Sequence, residues 1–201
     1  MSESITPRWV TNIIHTCMGL QRGEKIIFIM DEPLGHARNA LLTEAAKANP
    51  SETWSYTFPN AARPFSEYPP QLLTTATQMD VIVLLLASLD HVKEYPALHA
   101  AVQPIIKSNA RTGLGAFIDQ SILDCELSAD YEQIAAFSSA LAERLRGSSS
   151  ARVTTALGTD LRMSLVGREW KTDTGILRGQ NVFGNLPAGE TYIAPIEDSA
   201  E

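Results

Sequence analysis

The sequence predicts an α/β fold: a three-layer doubly wound domain with a mainly parallel sheet of about four strands, followed by the start of a β-rich second domain. Two observations support this prediction. Short, almost continuously apolar segments alternate with helix-like segments over the first 146 residues, as in a parallel sheet covered by helices on both faces. Beyond residue 150, glycine-rich turns separate short alternating segments and no helix is evident.

A first helix is predicted over residues 6–20, with Pro7 at its first position and apolar side chains at helical spacing. Each strand that follows is succeeded by a helix. The strands are predicted at 25–30, 52–58, 80–87 and 112–118, and their helices at 34–48, 71–79, 96–107 and 129–146. A loop rich in proline and aromatic residues, 59–70, separates the second strand from its helix.

The run Gly-Ser-Ser-Ser at 147–150 is the clearest linker. We therefore expect an α/β amino-terminal domain over 1–146, a linker at 147–150 and an incomplete β-rich segment over 151–201. In that segment, strands are predicted at 152–156, 160–165 and 190–196. It is too short and too poor in apolar residues to bury a core by itself.

Composition limits the classes of partner. The formal net charge is −7 and the basic residues are scattered, so neither nucleic acid nor a membrane surface is an expected partner. The longest apolar run, 81–87, is too short to span a bilayer. The amino-terminus, Met-Ser-Glu-Ser-Ile, has no basic region followed by an apolar stretch, so no secretory signal is visible and a cytoplasmic protein is expected. Of the two cysteines, Cys17 is predicted to be a buried apolar side chain.

Ligands in such folds bind at the carboxyl ends of the strands. After the first strand, residues 31–36 contain two acids and one glycine instead of G-x-G-x-x-G, so a dinucleotide cofactor is not expected. The pair Asp90-His91 is interpreted as a solvated loop, and Asp119 as a helix cap. The motifs H-E-x-x-H and G-x-S-x-G are both absent from the sequence.

The last forty or so residues are more specific. They contain Gly-Thr-Asp-Leu at 158–161, Gly-Arg-Glu-Trp at 167–170, and Asn-Leu-Pro-Ala-Gly-Glu at 185–190, with Tyr192, then Ala-Pro and Glu-Asp-Ser. From the residues alone, Glu190 can be a charge at a turn or strand edge, or a metal ligand. This series resembles the signature of the aminopeptidase T (thermophilic leucyl aminopeptidase) family of metallopeptidases.

The resemblance implies that Glu190 is the first ligand of a two-metal site holding zinc, cobalt or manganese, and that residues 151–201 begin a catalytic domain. In that family the metal ions activate a water molecule that removes amino-terminal residues from peptides. No residue here is assigned as catalytic or cofactor-binding. The family's second glutamate, two histidines, aspartate and tyrosine come later than position 201. We therefore expect a truncated amino-terminal portion, inactive and without bound metal when isolated, from a homodimeric enzyme acting on peptides.

Two alternatives stay open. Iron-dependent dioxygenases that open hydroxypyridine rings share the fold and parts of the signature, and an iron site of that kind needs two histidines and one carboxylate. The chain can also be a non-catalytic α/β domain that gates a substrate or forms a dimer.

Overall fold

A computed structural model describes residues 6–90 and 92–199. The helices are α1 Arg8–Thr11, α2 Gly35–Lys47, α3 Pro70–Ala76, α4 Tyr95–Ile106, α5 Gln120–Asp124 and α6 Tyr131–Leu145. The strands are β1 Lys25–Asp31, β2 Glu52–Phe58, β3 Val81–Leu85, β4 Arg111–Gly115, β5 Ser150–Thr154, β6 Asp160–Ser164, β7 Lys171–Asp173, β8 Phe183–Asn185 and β9 Glu190–Tyr192. A π-helical turn, Asn12–Cys17, continues α1.

The predicted fold class is confirmed. A parallel five-stranded sheet has the order β2-β1-β3-β4-β8, and the later strands form two antiparallel pairs, β5 with β6 and β7 with β9. Successive side chains of β1 point to opposite faces of the sheet. Ile26, Phe28 and Met30 join one buried apolar cluster with the first helical segments, whereas Ile27 and Ile29 join another with α3 and α4.

The fifth strand, β8, was not predicted, because its three residues carry no recognisable pattern. It lies beside β4, where Gly113 and Gly115 leave room for it. A Cβ atom at Gly113 would lie 2.4 Å from Cδ1 of Leu186, and one at Gly115 would lie 2.2 Å from the Leu186 carbonyl oxygen. Leu186 itself is fully buried. Glycine in β4 therefore permits the close approach of the segment that extends the sheet.

The first helix also differs from its prediction. Instead of one α-helix over 6–20, the chain changes from α to π geometry at Asn12, whose side-chain amide donates to the Leu127 and Ala129 carbonyls at 2.9 and 2.8 Å. The apolar face is nevertheless as predicted: Cys17 is buried. The change to π geometry begins at Asn12, the residue that makes these long-range hydrogen bonds. A π turn adds a residue to the helix without ending it.

The contacts divide the chain into two units. The first unit comprises residues up to Tyr131 together with Gly175–Ala188, and the second comprises Glu132–Thr174 together with residues from Gly189 onward. Ser150, expected in the linker, begins β5. The two contact-based units therefore do not meet at residues 147–150. The predicted domain division at 147–150 stays a prediction. In the described residues, 6–90 and 92–199, no helix combines the length and apolarity needed to cross a bilayer.

Replacing Gly115 with alanine should destabilise the first unit by about 3 kcal/mol, because the new methyl group would overlap the Leu186 carbonyl. Urea unfolding measures this change. Gly35→Ala is the matched control: a Cβ there meets no atom within 4 Å, and alanine favours the helix. Equal stability of the two variants would contradict the packing account of β8.

Candidate functional site

Glu190 begins β9 in the second unit and is exposed. The residue before it, Gly189, has a φ of +149°, and a Cβ atom at that position would lie 3.1 Å from Cγ2 of Ile134. Both the backbone conformation and the close approach to α6 favour glycine here. The Ala-Gly-Glu sequence thus fixes the backbone position of Glu190 at the start of a short strand.

Asp173 lies directly opposite Glu190 in the antiparallel ladder of β7 and β9. Opposite residues in such a ladder project to the same face, so the Asp173 and Glu190 side chains lie on one face of the β7–β9 pair. Like charges in this position repel each other, and a divalent cation is the kind of ligand that relieves that repulsion. The sequence analysis missed Asp173 as a neighbour of Glu190, because their pairing depends on strand register and not on sequence spacing.

These two carboxylates do not make a complete metal centre. Among residues 6–90 and 92–199, no three histidine, cysteine, aspartate or glutamate side chains are grouped so that they could hold a metal ion. Catalytic zinc sites use at least three protein ligands. The described part of the chain therefore does not fit a two-metal centre by itself.

A second polar site lies at the carboxyl end of the sheet in the first unit. Asp31 ends β1 and is 1% exposed, and its carboxylate oxygens accept hydrogen bonds from the Arg63 guanidinium at 2.5 and 2.6 Å. The other end of the guanidinium donates to Glu94 at 2.6 Å, and Glu94 is also 1% exposed. Arg63 thus lies between two buried carboxylates. We call Asp31, Arg63 and Glu94 the carboxylate–arginine triad.

Backbone amides complete the triad. Asp31 accepts from the amides of Ala87 at 2.7 Å and Ser88 at 3.3 Å, both after β3. Glu94 accepts from the amides of Phe65 and Asp90, both at 2.8 Å. The triad therefore ties the 59–70 loop, the segment after β3 and the start of α4 to the end of β1.

Burial and the neighbouring charges act in opposite directions on the pKa of Arg63. Burial by itself would lower the pKa of the Arg63 guanidinium, but the adjacent Asp31 and Glu94 carboxylates outweigh it and raise that pKa. Burial raises the pKa of the nearby Tyr68 hydroxyl to about 12. In the described residues, neither the Tyr68 hydroxyl nor Nε of Arg63 has a hydrogen-bond partner. The triad carries one excess negative charge.

A cavity of about 340 Å³ opens beside the triad. It is lined by Arg63, Pro64, Ser88, Leu89, Asp90, Glu94 and Phe117. Asp90 accepts hydrogen bonds from the Lys93 and Val92 amides at 3.1 and 3.0 Å, and the backbone bond from Lys93 and then that from Val92 lower the pKa of its carboxyl below the usual range. Phe117 follows β4 with a φ of +60° and is 48% exposed.

Asp119 and the histidines His15 and His99 make contacts within or between the helices and turns of the fold. Asp119 accepts a hydrogen bond from the Ile122 amide at 2.9 Å, which confirms it as the cap of α5. His15 contacts the Glu44 carboxylate at 2.9 Å, and His99 contacts Gln103 one helical turn on. His91 lies outside the described residues.

Arg63 and Glu94 were missed by the sequence analysis. Neither belongs to a spaced motif, and only the folding of the chain brings them to Asp31. The one available signal was the position of Asp31 at the end of an apolar strand, where a buried acid requires a partner.

No family model matches the sequence, and no curated protein matches it. Two solved structures share its fold. Wild-type AmpT (aminopeptidase T) from Thermus thermophilus is 15% identical with a TM-score of 0.69, over 96% of this chain and 62% of that chain. The 2,5-dihydroxypyridine dioxygenase from Pseudomonas putida KT2440 is 15% identical with a TM-score of 0.68, over 96% of this chain and 57% of that chain.

Replacing Arg63 with methionine should destabilise the first unit by about 3–5 kcal/mol, because Asp31 and Glu94 would remain buried without their counter-charge. Urea unfolding with far-UV circular dichroism measures the change. Arg8→Met is the control, since the Arg8–Asp130 pair is more than half exposed and its loss should change stability by less than about 0.5 kcal/mol. Equal effects of the two substitutions would show that the triad is not a buried charge network.

The two matches agree on the fold at identities too low to show more than the fold. The chain spans 57% and 62% of the two neighbours. The chain therefore has a fold related to those of both AmpT and the dioxygenase.

Proposed function

We propose that this chain is the amino-terminal part of a metal-dependent aminopeptidase, in which Glu190 is one ligand of a divalent metal ion and the other ligands are supplied outside the described residues. The fold shared with AmpT supports this proposal. So does the resemblance of the Pro-Ala-Gly-Glu element, residues 187–190, to the signature of the aminopeptidase T family.

The observation that carries the proposal is the placement of Glu190. Glu190 is exposed, is the first residue of β9 and lies opposite Asp173 in the ladder. An acidic residue directly across the ladder adds a second negative charge on the same face of the β7–β9 pair. A metal ligand gains from this placement, since the local negative charge attracts a cation.

A ring-opening dioxygenase is the second candidate. The TM-scores of the two structural neighbours, 0.69 and 0.68, differ by too little to separate the two activities. Metal content does separate them, because the first activity requires two divalent ions and the second one iron. The Pro-Ala-Gly-Glu resemblance favours the peptidase. A homodimer acting on peptide substrates in the cytoplasm also belongs to this proposal, with zinc, cobalt or manganese as the metal.

The test uses the full-length protein that contains this chain, loaded separately with zinc, cobalt and manganese and assayed on leucine p-nitroanilide. Glu190→Gln should lower kcat/KM by about 100-fold or more, because loss of a metal ligand costs at least as much as loss of a residue that supports one. Metal analysis of the same preparations should show a lower metal content for Glu190→Gln.

Glu169→Gln is the matched control, since Glu169 is an exposed glutamate of the same unit. It should leave activity and metal content unchanged. An N-acetylated substrate should not be cleaved, because an aminopeptidase requires the free amine. Full activity and full metal content in Glu190→Gln would refute the ligand assignment, and a single iron with ring-opening activity would establish the second candidate.

A further inference from the structure

We propose that the face of the β7–β9 pair that carries Glu190 also binds the carboxylate end of a short peptide, through Lys171 and the cavity beside it. The ligand is a peptide of two or three residues with a free amino group and a free carboxylate. The position of its amino end, at Glu190, rests on the proposed function. Lys171 then determines which peptides bind, by their length and their terminal charge.

Strand register places Lys171 and Glu190 on one face. Lys171 pairs with Tyr192 in the antiparallel ladder, two residues away from the pairing of Asp173 with Glu190. Side chains two residues apart on a strand project to the same side, so all four of these residues share a face. The Thr191 hydroxyl, on the opposite face, donates to a carbonyl of α6 at 3.1 Å. The face that carries Lys171 and Glu190 therefore points away from α6.

A cavity of about 340 Å³ adjoins the Lys171 end of this face. It is lined by residues 167–169, Lys171 and residues 192–194, all of which belong to the second unit. Tyr192 is 45% exposed and supplies the aromatic part of the lining. The volume is near the lower end of the range of roughly 300–1,000 Å³ found for small-molecule sites, so it suits the end of a short peptide.

Lys171 is the group that receives a carboxylate. Across residues 6–90 and 92–199 its ammonium group makes neither an ion pair nor a hydrogen bond, although the side chain lines the cavity. An ammonium group has three donors, and a carboxylate can accept from them here without displacing another partner.

The other charged groups of the lining leave this contact open. Arg168 donates to Glu197 at 3.0 Å, but Glu197 is 79% exposed, so solvent weakens that pair and the guanidinium can also contact a ligand. Glu169 is the acidic group of the lining, and it forms an ion pair with neither Arg168 nor Lys171. The two cations are therefore not neutralised by it directly.

The spacing along the ladder fits a peptide of two or three residues. Two residues of an antiparallel strand span about 7 Å, so the Lys171–Tyr192 pair lies about that far from the Asp173–Glu190 pair. An extended dipeptide has about the same length, and each further residue adds about 3.5 Å. The flexible stem of Lys171 accommodates either length. A ligand with an ammonium group at one end and a carboxylate at the other thus meets an acid at Glu190 and a base at Lys171.

The binding test uses the full-length protein that contains this chain, ¹⁵N-labelled and freed of metal with EDTA so that no peptide is cleaved. Leucyl-glycine should shift the amides of Arg168, Lys171 and Tyr192. It should bind about fivefold more tightly than leucyl-glycinamide, which has the same amino end but no carboxylate. Equal affinity of the acid and the amide, or tighter binding of the amide, would overturn the proposal.

Variants of Lys171 test the residue itself. Lys171→Met should remove the preference for the acid and leave the affinity for the amide unchanged, since only the carboxylate contact is lost. Lys171→Arg keeps the charge and should keep the preference. Lys107→Met removes an exposed lysine of the first unit and should change neither affinity. A preference for the acid that persists in Lys171→Met would refute the role of Lys171.

Cleavage kinetics separate this site from the peptidase activity. In the metal-loaded protein, Lys171→Met should raise KM for leucyl-glycine about fivefold and leave kcat unchanged. Hydrolysis of leucine p-nitroanilide, which lacks a carboxylate, should be unaffected. A protein that binds the acid through Lys171 but cleaves no peptide would retain this site and refute the peptidase. A protein that cleaves leucyl-glycine with a KM independent of Lys171 would refute this site and retain the peptidase.

Discussion

The guanidinium of Arg63 lies between two carboxylates that water scarcely reaches, and the carboxyl end of the sheet is arranged around that contact. Asp31 ends β1, Arg63 belongs to the loop after β2, and Glu94 immediately precedes α4. Replacing a buried ion pair with apolar groups can leave stability unchanged, but removing one partner is costly. The triad therefore specifies where the 59–70 loop sits more than it raises the overall stability. Because Arg63, Pro64 and Glu94 line the cavity beside the triad, these ion pairs also set the position of that part of the cavity wall.

The sheet and its main helices could be predicted from the sequence because their signals are local. The apolar runs of β1 and β3 and the helical spacing in α4 need no knowledge of distant residues, and the same holds for Asp119 as a cap. The fifth strand could not be predicted, because three residues are too few to show a pattern. Its place depends on two glycines in β4 that are remote in sequence. The π turn likewise depends on the contacts of Asn12 with remote carbonyl groups.

In the candidate sites too, features with a local sequence signal could be predicted and contacts between remote residues could not. Glu190 could be singled out because a short contiguous element surrounds it, whereas Asp173 and the triad are brought together by strand register and by loops. Residues 31–36 contain Asp31 and Glu32 in place of a glycine-rich pattern, which favours no phosphate site, but nothing in them indicates Arg63. A charge partner more than thirty residues away leaves no trace in local composition. The carboxyl end of the sheet could be predicted as the place of a polar cluster, but the residues that form the cluster could not.

Amide hydrogen exchange in Arg63→Lys tests the role of the triad most directly. Lysine keeps the positive charge but cannot bond two carboxylates with a planar fork. The Phe65, Ala87 and Asp90 amides, which donate to Glu94 or Asp31, should then exchange at least about tenfold faster through local opening, while amides in the middle of β1 and β3 keep their protection. Unchanged exchange at these three amides, or an equal loss across the whole sheet, would contradict the account.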